Sequence, residues 1–176
     1  METSFAALIL ITLLIVAALT LGHAYLSSQE ELMTSWQEME ERSWMRTRTG
    51  VELLDAGTFS GGSNVQLTVW NDGEIKLADY DQWDVVVQYY TSWITLPYRI
   101  EWLPYGAVIA DDQWTVTGIY GDAAGTQAEV YEPGILNPGE GLRMWLRLAP
   151  PVGSGTTNLV TVSTQNGVTA STVFTR

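Results

Sequence analysis

The chain has 176 residues, and 20 Asp and Glu against 8 Lys and Arg give it a formal charge of −12. There is no basic footprint for a phosphate backbone, which argues against nucleic acid as a partner. Cysteine is absent, which removes disulfides, thiolate nucleophiles and thiolate metal sites together, and eight Trp and eight Tyr against three Phe form an aromatic set suited to half-exposed contact surfaces.

The first element is apolar. From Phe5 to Leu26 the run FAALILITLLIVAALTLGHAYL has no Lys, Arg, Asp or Glu and is interrupted only by Thr12, Thr20, Gly22 and His23. As an α-helix it would be about 33 Å long, enough for a bilayer core of ~30 Å. A conventional secretory signal fits poorly, because the residues ahead of the run, Met1 to Ser4, carry a negative charge where a basic segment is needed. The nearest basic residues, Arg42, Arg46 and Arg48, lie beyond the run, so the positive-inside rule taken alone would leave the remainder in the cytoplasm. That remainder has the texture of an extracellular domain, and a short basic leader removed ahead of the apolar run would reconcile the two.

The same helix is expected to continue past the apolar run. SSQEELMTSWQEMEERSWMRTRTG has no Pro and no Gly before Gly50, and Leu32, Trp36 and Met39 keep one apolar stripe at spacings of four and three. Glu38 and Arg42 form an i,i+4 pair in the favoured order, and acids precede bases along the segment. The spacing predicts one helix from about Ser4 to about Arg46, ~65 Å long, apolar all round in its first half and amphipathic in its second, with Gly50 as the exit. The stripe of Leu32, Trp36, Met39 and Trp44 asks for a neighbour, either the protein's own C-terminal domain or the same helix in other copies. Residues expected to carry assembly are Phe5, Leu8, Ile11, Ile15, Ala18, Gly22, Leu26, Leu32, Trp36 and Met39. The small residues Ala6, Ala7, Ala17, Ala18, Gly22 and Ala24 permit close approach of helices.

After Gly50 the pattern becomes short alternating runs separated by Gly, Pro, Asn and Asp. Seven or eight strands are expected from the candidates VELLDAGTF, NVQLTVWN, WDVVVQYYT, YRIEWL, QWTVTGIYG, LRMWLRLAP, NLVTVSTQ and VTASTVFTR, with NDG and QNG as turn signals and LNPGEG as a loop. The expected fold is therefore α+β: a long N-terminal hydrophobic helix (residues 1–50) followed by an antiparallel immunoglobulin-like β-sandwich (residues 51–176). Residues 1–50 hold six acids and three bases and residues 51–176 hold 14 and five, so the sandwich carries most of the negative charge. Such an acidic, Lys-poor sandwich suits a crowded surface outside a cell.

Chemistry is poorly supplied. The single histidine, His23, lies in the apolar run, so Ser-His-Asp and Cys-His catalysis lack parts. Asp79, Asp81 and Asp84 in ADYDQWD resemble part of a Ca²⁺ loop but lack the Gly and the distal Glu of an EF-hand, and read as a solvated inter-strand loop. Asp111 and Asp112 read as a turn, SGGSN lacks the Lys of a P-loop, and NPGEGL precedes a strand. No Asn-x-Ser/Thr acceptor occurs. The expectation is a protein of assembly or binding and not an enzyme, with no catalytic residue, cofactor, metal or small-molecule substrate.

An uncharged helix near the N-terminus that runs into an amphipathic stalk and then an acidic β-sandwich resembles the type IV filament superfamily, and within it the archaellum group. The resemblance covers the whole chain as architecture. It implies a class III signal peptide cut by a leader peptidase, an apolar helix stored in the membrane and then packed into the core of a homo-polymer, an ATPase-driven assembly platform, and a cell-surface, extracellular filament for motility. Type IV pilins usually have Glu at the fifth mature position, whereas here that position is Phe5 and the early acid is Glu2; archaellins do without that Glu. WNDGEIKLADYDQWDVVVQY, LNPGEGLRMWLRL and TQNGVTASTVF resemble the sandwich of the archaellum F and G proteins, which implies a membrane-anchored stator as the alternative. A tethered adhesin with a binding sandwich is a further alternative, which accounts for the anchor and the acidic domain but not for the stripe. Trp93, Trp102 and Trp114 are candidate anchors for subunit contacts, though for any one of them a place in the core is the expected one.

Overall fold

The structure, a computed structural model, describes residues 2–95 and 97–176, without the side chains of residues 2–6. It divides into two compact units, Met1–Trp44 and Met45–Arg176. The first unit is helical. Helix α1 spans Glu2–Arg48, and neither Pro nor a charged residue interrupts the run from Phe5 to Leu26. The hydroxyls of Thr12 and Thr20 donate to the carbonyls of Leu8 and Val16 at 2.9 Å, so these polar groups are satisfied inside the helix.

The second unit is a sandwich of eight strands, all where the alternation placed them: β1 (Glu52–Phe59), β2 (Asn64–Trp70), β3 (Asp84–Tyr90), β4 (Tyr98–Leu103), β5 (Gln113–Tyr120), β6 (Gly141–Arg147), β7 (Thr157–Ser163) and β8 (Thr169–Thr175). Two four-stranded antiparallel sheets form, in the orders β1-β2-β6-β5 and β4-β3-β7-β8. Those orders follow the A-B-E-D and C′-C-F-G arrangement of immunoglobulin sandwiches. Where antibody domains bridge the B and F strands with a disulfide, β2 and β7 here contribute Val65, Leu67, Val69, Val160 and Val162, all fully buried.

Between the sheets lies a core with large aromatic members. Trp83, Tyr89, Trp114 and Phe174 are buried among Leu67, Leu103, Leu142, Met144 and Leu146. Tyr105 packs edge-on against Trp114 with ring centroids 5.0 Å apart, and Tyr80 packs the same way against Trp83 at 5.3 Å. The LNPGEG loop closes on this core: Leu136 is fully buried and exchanges backbone hydrogen bonds with Leu77 at 2.7 and 2.9 Å.

Strand β4 departs from the simple reading of alternation. In YRIEWL the apolar set Tyr98, Ile100 and Trp102 would be expected inward and Arg99 and Glu101 outward. The order is reversed: Tyr98, Ile100 and Trp102 are exposed, while Arg99 and Glu101 are half-buried beside the fully buried Leu103. Arg99 and Glu101 form an ion pair, and the Arg99 Nη1 also donates to the Ala149 carbonyl at 3.2 Å. These partners offset the desolvation of the two inward charges.

Candidate functional site

The assembly residues expected from the sequence share one surface condition. Leu8, Ile11, Ile15, Leu26, Leu32, Trp36 and Met39 range from 50% exposed at Leu32 to 69% at Trp36, and Ala18 and Gly22 are exposed as well. The side chain of Phe5 lies outside the described residues. Among the described residues, α1 is a helix long and apolar enough to cross a membrane, and none of its apolar window is buried. Trp44, at the end of the stripe, is 53% exposed. Glu38 and Arg42 approach to 4.0 Å in the expected i,i+4 pair, on side chains so exposed that it adds only about 0.3–0.5 kcal/mol. His23 is exposed on the helix, near the C-terminal end of the apolar run.

Where the helix ends, the second unit holds its final turn. Thr49 is buried; its N–H and its hydroxyl both donate to the Met45 carbonyl, at 3.0 and 2.8 Å. The Arg48 carbonyl accepts the Glu74 N–H at 2.8 Å, and the Arg48 guanidinium reaches the Glu74 carboxylate at 2.6 Å. Asn166, in the turn between β7 and β8, donates to the Thr49 hydroxyl at 2.9 Å. These contacts satisfy helix-terminal groups that would otherwise be left to water.

The loop after β2 is shaped for this grip. Asn71 is fully buried; its amide donates to the carbonyls of Ile75 and Leu136 at 2.9 and 3.0 Å, and its side-chain oxygen accepts the Gly73 N–H at 3.1 Å. A Cβ on Gly73 would stand 2.7 Å from the Arg48 carbonyl oxygen, and one on Gly50 would stand 2.8 Å from the Gly73 nitrogen. Two backbones therefore meet at a distance only glycine allows. The sequence marked NDG and QNG as turns; their service as a clamp on the helix end was not visible, because it depends on which loops the sheet topology brings to one end.

The carboxylates behave as structural groups. Asp84 accepts the Trp102 indole N–H at 2.8 Å, Asp79 adopts a left-handed backbone ahead of the turn at Tyr80–Gln82, and Asp111 pairs with Arg147 at 3.0 Å. Asp122 accepts from the Thr126 hydroxyl and from the backbone N–H groups of Thr126 and Gln127, which hold its carboxyl below the ordinary carboxylate value. Among the described residues no cluster of three or more His, Asp or Glu could hold a metal ion. Of the three candidate Trp anchors, Trp114 is wholly in the core, whereas Trp93 and Trp102 are 58% and 57% exposed.

No family model matches the chain, and no curated protein matches it at a significant level. Solved structures do. The archaeal flagellum of Methanospirillum hungatei is similar with a TM-score of 0.56 at 16% identity, over 97% of this chain and 90% of that one. The periplasmic stator complex of FlaF and FlaG from Sulfolobus acidocaldarius is similar with a TM-score of 0.51 at 19% identity, over 70% of this chain and 87% of that one. FlaG of the same organism aligns with a TM-score of 0.49 at 22% identity, over 72% of this chain and 99% of that one. The structural neighbours are thus structural components of the archaellum, and at these identities the likeness is one of fold.

Proposed function

We propose that the chain is the structural subunit of an extracellular, archaellum-like helical filament, polymerising through α1 with its sandwich facing outward. The observation that carries this reading is the helix: an apolar run with its hydroxyls internally bonded and its side chains uncovered. Such a helix suits lipid before assembly and a bundle of like helices after it. Likeness to a flagellar filament over 97% of the chain, helix included, supports the same choice. Phe5, Leu8, Ile11, Ile15, Ala18, Gly22 and Leu26 would line the core, and Leu32, Trp36 and Met39 would continue it beyond the membrane level. A leader peptidase and an ATPase-driven platform are the partners this route requires. The chain's role is structural and its place the cell surface.

A second reading is a membrane-anchored stator component, supported by the likeness to the FlaF and FlaG complex. The two separate in one experiment: electron microscopy of a sheared cell-surface fraction with mass spectrometry of its protein. Filaments built chiefly of this chain are expected. If the chain stays with washed membranes while filaments of another protein shear away, the subunit reading fails and the stator reading replaces it.

A further inference from the structure

Of the five asparagines, Asn166 alone is followed by glycine, in the QNG turn between β7 and β8. Asn64 and Asn158 precede the branched Val65 and Leu159, Asn71 precedes Asp72, and Asn137 precedes Pro138, whose nitrogen carries no hydrogen. At Gly167 no Cβ shields the backbone nitrogen from the side chain before it. The turn also lets that nitrogen move. It lies beyond the β7-β8 ladder, whose last pair is Ser163 with Thr169. Two backbone bonds of 2.9 Å close it, from the Gly167 N–H to the Thr164 carbonyl and from the Thr164 N–H to the Val168 carbonyl. Within it the Gln165 side-chain oxygen is buried without a hydrogen-bond partner, a cost that opening relieves. Asn71 and Asn158 are placed differently: both are buried, with amides bonded to the carbonyls of Ile75 and Leu136 and of Thr156.

We propose that Asn166 is a self-modification site, and that its conversion to aspartate loosens the hold on the end of α1. When the turn opens, the Gly167 nitrogen gives its proton to solvent and attacks the Asn166 Cγ. The new N–C bond forms, the Cγ–Nδ2 bond breaks, and the amide nitrogen leaves as ammonia. Water then opens the succinimide ring at either carbonyl, which leaves aspartate or isoaspartate with no change of oxidation state. The amide lost in this way is the donor that Asn166 gives to the Thr49 hydroxyl at 2.9 Å. A carboxylate in its place can only accept. The Thr49 hydroxyl has one proton, already given to the Met45 carbonyl at 2.8 Å, so the new carboxylate and that carbonyl compete for it. The added charge also stands at a helix C-terminus, where the macrodipole is negative. The hold on the helix end is therefore chemically perishable, whether the chain builds a filament or anchors a stator.

Full-length protein in mild detergent, kept at mildly alkaline pH and followed by peptide mass spectrometry, tests this. Asn166 is expected to gain about 1 Da, the exchange of an amide for a carboxyl, about tenfold faster than any other asparagine. Thr49→Val removes the acceptor of the Asn166 amide and is expected to speed the conversion several-fold. Asn166→Asp, the product made directly, should show faster hydrogen exchange at Thr49 while the near-ultraviolet circular dichroism of the sandwich is retained. A denatured sample gives the rate of the unrestrained chain. Folded Asn166 that stays intact while the denatured chain converts, or that converts no faster than the other asparagines, overturns the site. A rate unmoved by Thr49→Val, or exchange at Thr49 unmoved by Asn166→Asp, overturns the link to the helix end.

Discussion

On β3, Val85, Val87 and Tyr89 are fully buried and alternate with Asp84, Val86 and Gln88, which face outward; on α1, every Leu, Ile and Val described from Leu8 to Leu21 is at least half exposed. The sandwich gathers the inward apolar residues of its strands into one buried core. The helix leaves its apolar residues exposed, and its composition suits a membrane or a bundle of helices. One region is specified by contacts within the chain; the other, on the proposed reading, by contacts outside it.

The sharpest way to break that contrast is a charge in the helix. Ala18→Asp places a carboxylate at mid-membrane at a cost of about 3 kcal/mol and puts it in the proposed core, so filaments should vanish from sheared fractions while the near-ultraviolet circular dichroism of the sandwich is unchanged. Filaments in normal number would reject the core assignment. The converse change is Trp114→Ala. Emptying a fully buried indole should destabilise the sandwich by about 3–5 kcal/mol, read by chemical denaturation, and leave the helicity of α1 intact.

Gly73→Ala tests the loop that holds the last turn of α1 within the second unit. Its Cβ would press on the Arg48 carbonyl, a backbone atom with little room to yield, and a loss of about 1–3 kcal/mol is expected, with faster hydrogen exchange at Thr49 and Glu74. Alkaline pH probes the core more gently. Burial pushes the Tyr89 hydroxyl up from 10.0 to about 12, and burial raises that of Tyr80 as well. Above pH 10 the unfolded chain releases a proton that the folded one keeps, so stability present below that pH should fall towards about pH 12. Tyr89→Phe should flatten the decline in denaturation curves measured across that window.

The smallest effect is expected on the surface. Hydrogen bonding to the Lys76 ammonium holds Glu132 below its ordinary 4.5. The pair's contribution is present above that value and lost as the pH falls through the lowered one. Lys76→Ala should return the carboxyl towards its ordinary range in a carbon-detected titration, with little change in melting temperature.

The comparison also explains what the sequence could show. A helix apolar on every side and eight strands written with period two are local patterns, and both were readable as such. The face that β4 turns to the core was not, because alternation gives two sides to a strand without saying which is inner. Arg99 and Glu101 go inward with each other as partners and with the Ala149 carbonyl, from the segment after β6, as a further acceptor for Arg99. Trp102 and Trp114 illustrate the same limit: both sit on strands, yet one ends exposed beside Asp84 and the other beneath Tyr105. Asn71 and Asn166 read as turn residues, and that Asn71 braces the loop against Arg48 while Asn166 reaches Thr49 follows from the sheet order, which no short window contains.

The back-bonded hydroxyls of Thr12 and Thr20 have a consequence for how such a helix changes surroundings. Their hydrogen bonds are already made, so lipid and a neighbouring helix are interchangeable solvents for the apolar segment. Leaving one for the other would break no bond of theirs, and packing would enter the balance, where small residues such as Ala17, Ala18 and Gly22 let backbones come close. In the proposed filament, how closely the helices pack would set the direction of that exchange.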